Sequence, residues 1–298
     1  MPHSDTLIPS VAQLTGPLPY TLTNDYLFRA ILQEDENILR SLLCALLRLC
    51  PDQIKTVEIK NPIKLGTAID NKTFVLDILL MLNDSSIITI EMQIVNYGNW
   101  PERALGYLCR SFDSLNRGED YTCTKPAVQI SILDFSLFKD VPEFYSTYHL
   151  TNDRNHHLYT DKFCLHVLDL THINLATDSD IEYHLDTWCE IFKAKTWEDI
   201  RMAAKRISIE NELSSHLAKL TEDEEIRQQC EARELFEAHE RGIKKIISKL
   251  ETDNAKLTAL TQERDAKIKQ LDTQNQNLDC QIQSLRQKLI DAGINPDS

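Results

Sequence analysis

Two short apolar runs, FVLDILLML (74–82) and IITIEMQIV (87–95), lie a few residues apart, and one carboxylate interrupts each: Asp77 in the first, Glu91 in the second. Runs of this length, rich in Ile, Val and Phe and bounded by turn-forming residues, build strands. The NDSS stretch between them fits a hairpin turn, and GTAIDNKT separates the first run from a further strand-like segment, TVEIKNPIKL (56–65). The pattern predicts a three-stranded antiparallel meander.

Successive side chains of a strand face opposite sides, so Ile88, Ile90, Met92 and Ile94 share one face while Thr89, Glu91, Gln93 and Val95 share the other. A hairpin turning near Asn83 to Ser85 sets Asp77 roughly opposite Glu91. A lone carboxylate among apolar residues is costly unless it is paired, protonated or metal-bound. Two converging carboxylates repel each other, and a hard divalent cation such as Mg²⁺ relieves the repulsion with just these oxygen ligands. On spacing alone, an edge-strand pair turned to solvent or to arginines accounts for Asp77 and Glu91 equally well.

Other elements frame this hairpin. An irregular leader (1–20) carries four prolines; then residues 24–49 read as one long or broken helix, capped by Thr23 or Asn24, with Leu27, Ile31, Ile38, Leu42 and Leu46 at mostly helical spacings. Residues 101–116 begin with a proline at a plausible first helical position and stop before Gly118, which predicts a second helix. AVQISILDF (127–135) and FCLHVLDL (163–170) read as strands, separated in part by a polar loop holding His156 and His157, and helical stretches with Trp188 and Trp197 fill 181–219. Adjacent histidines face different ways, and no metal-ligand spacing surrounds this pair, so they read as loop residues. Cys109 reads as buried filler.

From about residue 222 the composition shifts to Glu, Lys, Gln and Leu, with no aromatic residue after Phe236. With Ile247 at position a, the a series runs Ile247, Asn254, Thr261, Ile268, Asn275, Ile282, Leu289 and the d series Ile243, Leu250, Leu257, Arg264, Leu271, Leu278, Leu285. Ile at a with Leu at d favours two parallel strands, and Asn254 and Asn275 can pair only in register. The boundaries expected are a leader at 1–20, an α/β domain with a helical C-terminal part at 21–220, a parallel dimeric coiled coil at 221–292 and a tail at 293–298. A long helix folded back on its own domain is the plainer alternative, but a seam of two apolar residues per heptad is narrow for a globular face.

The 46 acidic and 32 basic side chains leave a formal net charge of −14, which opposes unspecific attraction to phosphate backbones. The eight cysteines are scattered singly, without the spacing of a zinc site or a disulfide framework. The start MPHSDTLIPS lacks a basic region followed by an apolar stretch, and no run approaches roughly 18 apolar residues, so a cytoplasmic location is expected. No GxxxxGK[ST], GxGxxG or GxSxG occurs, which removes support for nucleotide hydrolysis, dinucleotide chemistry and the common serine-hydrolase elbow.

An Asp in one strand, a short hairpin, Glu-x-Gln in the next strand and a following helix resemble the PD-(D/E)XK restriction-endonuclease-like core in its E-x-Q variant. More closely, TNDYLF (23–28), LDI (76–78), EMQ (91–93), Arg103 with Tyr107, Gly118 with Tyr121, and PAVQISIL (126–133) resemble the Rpn family of recombination-promoting nucleases and transposases, over about residues 20–200. The resemblance implies an α/β fold of helix, three-strand meander, helix and strand. It also implies Mg²⁺- or Mn²⁺-dependent cleavage of DNA phosphodiesters, with Asp77 and Glu91 as metal ligands and Gln93 in the place of the usual lysine. Asp25 would be a third acidic contributor, though a first-turn acid stabilised by the helix dipole explains it as well. Arg103 and Arg110, seven apart on the following helix, are expected to hold flanking phosphates, or else to be ordinary solvated arginines. A second reading keeps the fold as a DNA- or protein-binding module that cuts weakly or not at all and acts through its coiled coil; a third is a coiled-coil scaffold with an inert head that binds no metal.

Overall fold

The computed structural model describes residues 14–62, 78–113 and 118–293. Asp77, the first residues of the second predicted strand, most of the leader and most of the tail lie outside them. The chain divides into two compact units, Met1–Ala238 and His239–Ser298.

In the first unit, helix α1 (Asp25–Glu34) and helix α2 (Glu36–Leu47) meet at Asp35, whose extended backbone ends one helix while its carboxylate accepts from the amides of Asn37 and Ile38 to start the next. The predicted helix is therefore broken. Strands β1 (Val57–Ile59), β2 (Ile78–Leu82) and β3 (Ser86–Gln93) follow as the antiparallel meander. Helix α3 (Trp100–Phe112), with Pro101 in its first turn, crosses to β4 (Ala127–Leu133), which pairs parallel to β3. β5 (Tyr145–His149) and β6 (Phe163–Asp169) complete a six-stranded mixed sheet among the described residues, in the order β1-β2-β3-β4-β6-β5.

β3, β4 and β6 form a parallel centre with helices on both faces, apolar toward the main core and carrying Thr89, Glu91, Gln129 and Ser131 on the other side. On one face Ile88, Ile90, Met92, Ile130 and Ile132 join the main core with residues from α1, α2, α5 (Leu185–Lys193), α6 (Trp197–Arg206) and α7 (Glu210–Glu222). On the other face α3 seats Trp100 and Ala104 against Leu133, with Phe135, Leu137, Leu165 and Val167 around them. A short helix, α4 (Asp178–Glu182), precedes α5, and the two helical stretches expected over 181–219 are three helices, α5, α6 and α7.

Helix α8 (Glu224–Asp291) begins inside this unit, where Ile226 and Cys230 are buried in the main core. In the second unit, its apolar residues, among them Ile247, Leu250, Leu257, Ile268, Leu271, Leu278, Ile282 and Leu285, are solvent-exposed. Among the described residues no helix is long and apolar enough to cross a membrane.

Candidate active site

The alternation read from IITIEMQIV holds in β3: Ile88, Ile90 and Met92 enter the main core, leaving Glu91 on the face covered by α3. Parallel pairing brings a second polar row alongside, because Thr89 is level with Gln129, Glu91 with Ser131 and Gln93 with Leu133. Thr89 Oγ1 donates to the Gln129 side-chain oxygen. The Ser131 hydroxyl is buried and finds no hydrogen-bond partner among the described residues.

Glu91 is 1% exposed, and a carboxylate that deep needs compensation. Part of it comes from α3, where the guanidinium of Arg103 turns inward. Its Nη2 lies 3.7 Å from Glu91 Oε2, its Nη1 donates to Gln93 Oε1 at 3.0 Å and its Nε donates to Tyr107 Oη at 2.8 Å. The guanidinium carbon stands over the Trp100 ring at 5.2 Å and the Tyr107 ring at 5.4 Å. Gln93 is fixed from its other end, donating from Nε2 to the Val95 carbonyl at 3.2 Å. Residues 100, 103, 104 and 107 lie one turn apart on the same side of the helix, so one α3 face supplies both packing and polar contacts.

Glu91, Gln93 and Arg103 are thus brought together. Arg110 sits exposed in the last turn of α3. Asp77 lies outside the described residues; Ile78, which follows it in the chain, pairs with Ile90, which precedes Glu91. Asn24 is the α1 cap, accepting from the Leu27 amide, and Asp25 is the first-turn acid. Asp25 is bound by Arg233 of α8, which donates from Nε to Oδ1 at 2.6 Å and pairs its Nη2 with Oδ2. The Asn24 amide also donates to the Cys230 carbonyl at 3.0 Å, tying the start of α1 to α8 a second time.

Ser131 was missed in the sequence although QIS in PAVQISIL carries a period-two polar signal facing Glu91. Also missed were two acids at the carboxyl ends of β4 and β6: Asp134, whose backbone amide donates to the Gln93 carbonyl at 3.0 Å, and Asp169, which meets His172 Nδ1 at 2.8 Å. Burial pushes the Asp134 carboxyl upward, against the opposing pull of Lys193 at 3.9 Å. Carboxyl ends of parallel strands are where α/β sheets gather ligands, and this end of β3, β4 and β6 gathers Gln93, Asp134 and Asp169.

For a divalent cation, the donors in hand are the buried Glu91 carboxylate and the unsatisfied Ser131 hydroxyl, both hard oxygens suited to Mg²⁺ or Mn²⁺. These are two donors only, and among the described residues no group of three or more His, Cys, Asp or Glu side chains is placed to hold a metal ion.

A family model described as PD-(D/E)XK nuclease family transposase matches residues 22–257. No curated protein and no solved structure matches the chain.

Proposed function

The chain belongs to the PD-(D/E)XK nuclease family transposases, and from that premise we propose that it is a divalent-metal-dependent DNA endonuclease serving recombination or element mobility. The observation that carries the reading is the buried Glu91 carboxylate beside a buried serine hydroxyl that has no partner among the described residues. Glu91 and Asp77 hold the cation, Asp77 being the residue before Ile78, the strand partner of Ile90. Ser131 Oγ completes this oxygen set. When bound, Mg²⁺ or Mn²⁺ supplies polarisation of the scissile phosphate and a more acidic water.

The protein's own groups do the rest. Gln93, fixed at both ends of its amide, orients the attacking water at the carboxyl end of β3. Asp25 is the third acidic residue of this reading, held in one orientation at the start of α1 by Arg233, which also offsets its charge. Arg110 meets a flanking phosphate from the exposed last turn of α3. Two copies joined through the exposed apolar seam of α8 present two such sites to one duplex. All eight cysteines are free thiols, which supports action in a reducing compartment such as the cytoplasm.

The test is nicking of supercoiled DNA in Mg²⁺ by the wild type, Glu91→Gln and Asp77→Asn, with folding followed by circular dichroism. Each variant keeps the side-chain shape and removes the charge that draws the cation, so each is expected to lose nicking while keeping its fold. Equal cutting by wild type and both variants rejects this site. A wild type that binds DNA and cuts under no divalent metal leaves the non-catalytic binding module in its place, a reading that the net charge of −14 and the neutral Gln93 favour.

A further inference from the structure

Arg103 was expected to steady a phosphate flanking the cut, a task suited to an exposed, mobile side chain. Its surroundings are those of a half-buried charge held in place by its neighbours. The guanidinium is engaged on its edge by Gln93 Oε1 and Tyr107 Oη, stands over the rings of Trp100 and Tyr107, and lies 3.7 Å from a carboxylate that is 1% exposed. A planar fork held in this way loses little further freedom when it acts, which is where arginine differs from lysine. The Gln93 amide is oriented to match, with its nitrogen spent on the Val95 carbonyl and its oxygen turned to Arg103.

We propose that Arg103 is the positioning residue of this site and its source of positive charge: it fixes Gln93 and Glu91 in register and supplies from α3 the charge that a neutral amide at position 93 lacks. This rests on the nuclease reading of the same residues. Attack on a phosphodiester adds negative charge to the phosphoryl oxygens, and a preorganised cation in a partly desolvated site offsets it without reorganising when the reaction occurs.

Two consequences separate this role from a flanking-phosphate contact and from simple packing. First, a guanidinium beside Glu91 opposes a metal ion at the same carboxylate, so removing it strengthens cation binding while weakening cleavage. A packing role would weaken both. Second, the charge can be moved: a lysine at position 93 replaces it only when Arg103 is gone, because the two cations otherwise crowd one another.

The experiment uses the full chain and four variants: Arg103→Met, Arg103→Lys, Gln93→Lys and the double variant Gln93→Lys/Arg103→Met. Three quantities are measured: the first-order rate of nicking supercoiled DNA in Mg²⁺, Mn²⁺ affinity by calorimetry, and affinity for a short duplex in Ca²⁺. Arg103→Met is expected to nick about 100-fold more slowly, to bind Mn²⁺ severalfold more tightly and to keep its duplex affinity. Arg103→Lys, which keeps the charge and loses the fork, falls between the two. Gln93→Lys alone is slower than wild type, and the double variant recovers most of the rate lost in Arg103→Met. The inference is overturned if Arg103→Met nicks as fast as wild type, if its loss lies in duplex affinity, or if the folded double variant is no faster than the single. Should Arg103→Met not fold, Arg103→Lys with Mn²⁺ binding decides: wild-type Mn²⁺ affinity and wild-type nicking together in that variant overturn the role of the fork. A wild type that neither binds Mn²⁺ nor cuts overturns the nuclease reading itself, whereas a wild type that does both while Arg103→Met matches it overturns this inference alone.

Discussion

His166 is level with Ile130, one residue from the Glu91–Ser131 pair, so it faces the opposite side of the sheet from the candidate site. The Tyr145 hydroxyl donates to the Leu46 carbonyl and accepts from His166 Nδ1 at 2.8 Å, which leaves Nε2 to accept from the Cys164 thiol at 3.2 Å. Burial, reinforced by His149 and Arg48, pushes the imidazole down to about 4, while burial pushes the Cys164 thiol up to about 11. Both groups are therefore neutral near pH 7. A histidine depressed in the folded state contributes stability that is complete above its unfolded value of 6.5 and is lost as pH falls through about 4. Chemical denaturation at several pH values is expected to show wild type losing up to about 3 kcal/mol more than His166→Gln over that window; parallel pH profiles contradict it. Residues of this kind show what one sequence conveys. Glu91 and Gln93 were legible because strand alternation alone fixes their face. Arg103 was legible as a candidate and illegible in its role, since its turn toward Gln93 depends on how α3 packs over β3. The Arg233 partner of Asp25 had no signal at all, coming from a charged helix more than 200 residues away by the hydrogen bond that joins them.

The hairpin that carries Glu91 is set by its turn. The Ser85 amide donates to the Leu82 carbonyl at 3.0 Å, and Asn83 and Asp84 have φ of 51° and 55°, the left-handed pair of a type I′ turn. The two residues are not equivalent. Asn83 Oδ1 accepts from the amides of Lys55 and Thr56, and its Nδ2 donates to the Gln53 carbonyl, so it ties the turn to the entry of β1. Asp84 contributes its left-handed backbone and a main-chain carbonyl that accepts from Lys125. Asp84→Gly is accordingly expected to stabilise by about 0.5 kcal/mol, since glycine adopts this conformation without a Cβ penalty. Asn83→Gly, with the same backbone freedom, should destabilise by about 2 kcal/mol through its lost hydrogen bonds. Urea midpoints of the two variants test the order, and equal shifts would mean that the Asn83 side chain contributes nothing. The turn was legible because its residues tolerate positive φ; the starts of α4 and α6, where Thr177 and Thr196 form capping boxes with Asp180 and Asp199, carry a signal that the sequence reading did not use. The edge strand β5 was not: YSTYH is largely polar and exposed, and only its pairing with β6 makes it a strand. The breaks before α5 and after α6 were hidden as well, because they rest on left-handed backbone at His184 and Ser208.

At the scale of the whole chain, the acidic balance and the second unit bear on function together. A net charge of −14 gives little help in holding a single site on DNA, so a second linked site adds residence that electrostatics does not. On the proposed reading, the seam of α8 supplies the link. Its apolar a and d residues are exposed along the second unit, and a lone helix of this kind leaves them in water. Parallel pairing in register sets Asn254 and Asn275 against their counterparts and brings Lys267 at g within reach of Asp272 at e of the second copy. Antiparallel pairing faces e against e, where Glu251, Asp265, Asp272 and Asp279 put acids together. A chain ended after Ala238, which keeps Ile226, Cys230 and Arg233 in the first unit, is expected to remain folded and to sediment as a monomer, while the full chain sediments as a dimer. On the nuclease reading, one site breaks one strand at a time. At equal concentrations of sites, the shortened protein should therefore nick supercoiled DNA at a rate near that of the full chain and produce far fewer linear molecules. A shortened protein that still sediments as a dimer removes the seam as the link, and equal yields of linear product from monomer and dimer would show that cutting both strands does not depend on pairing.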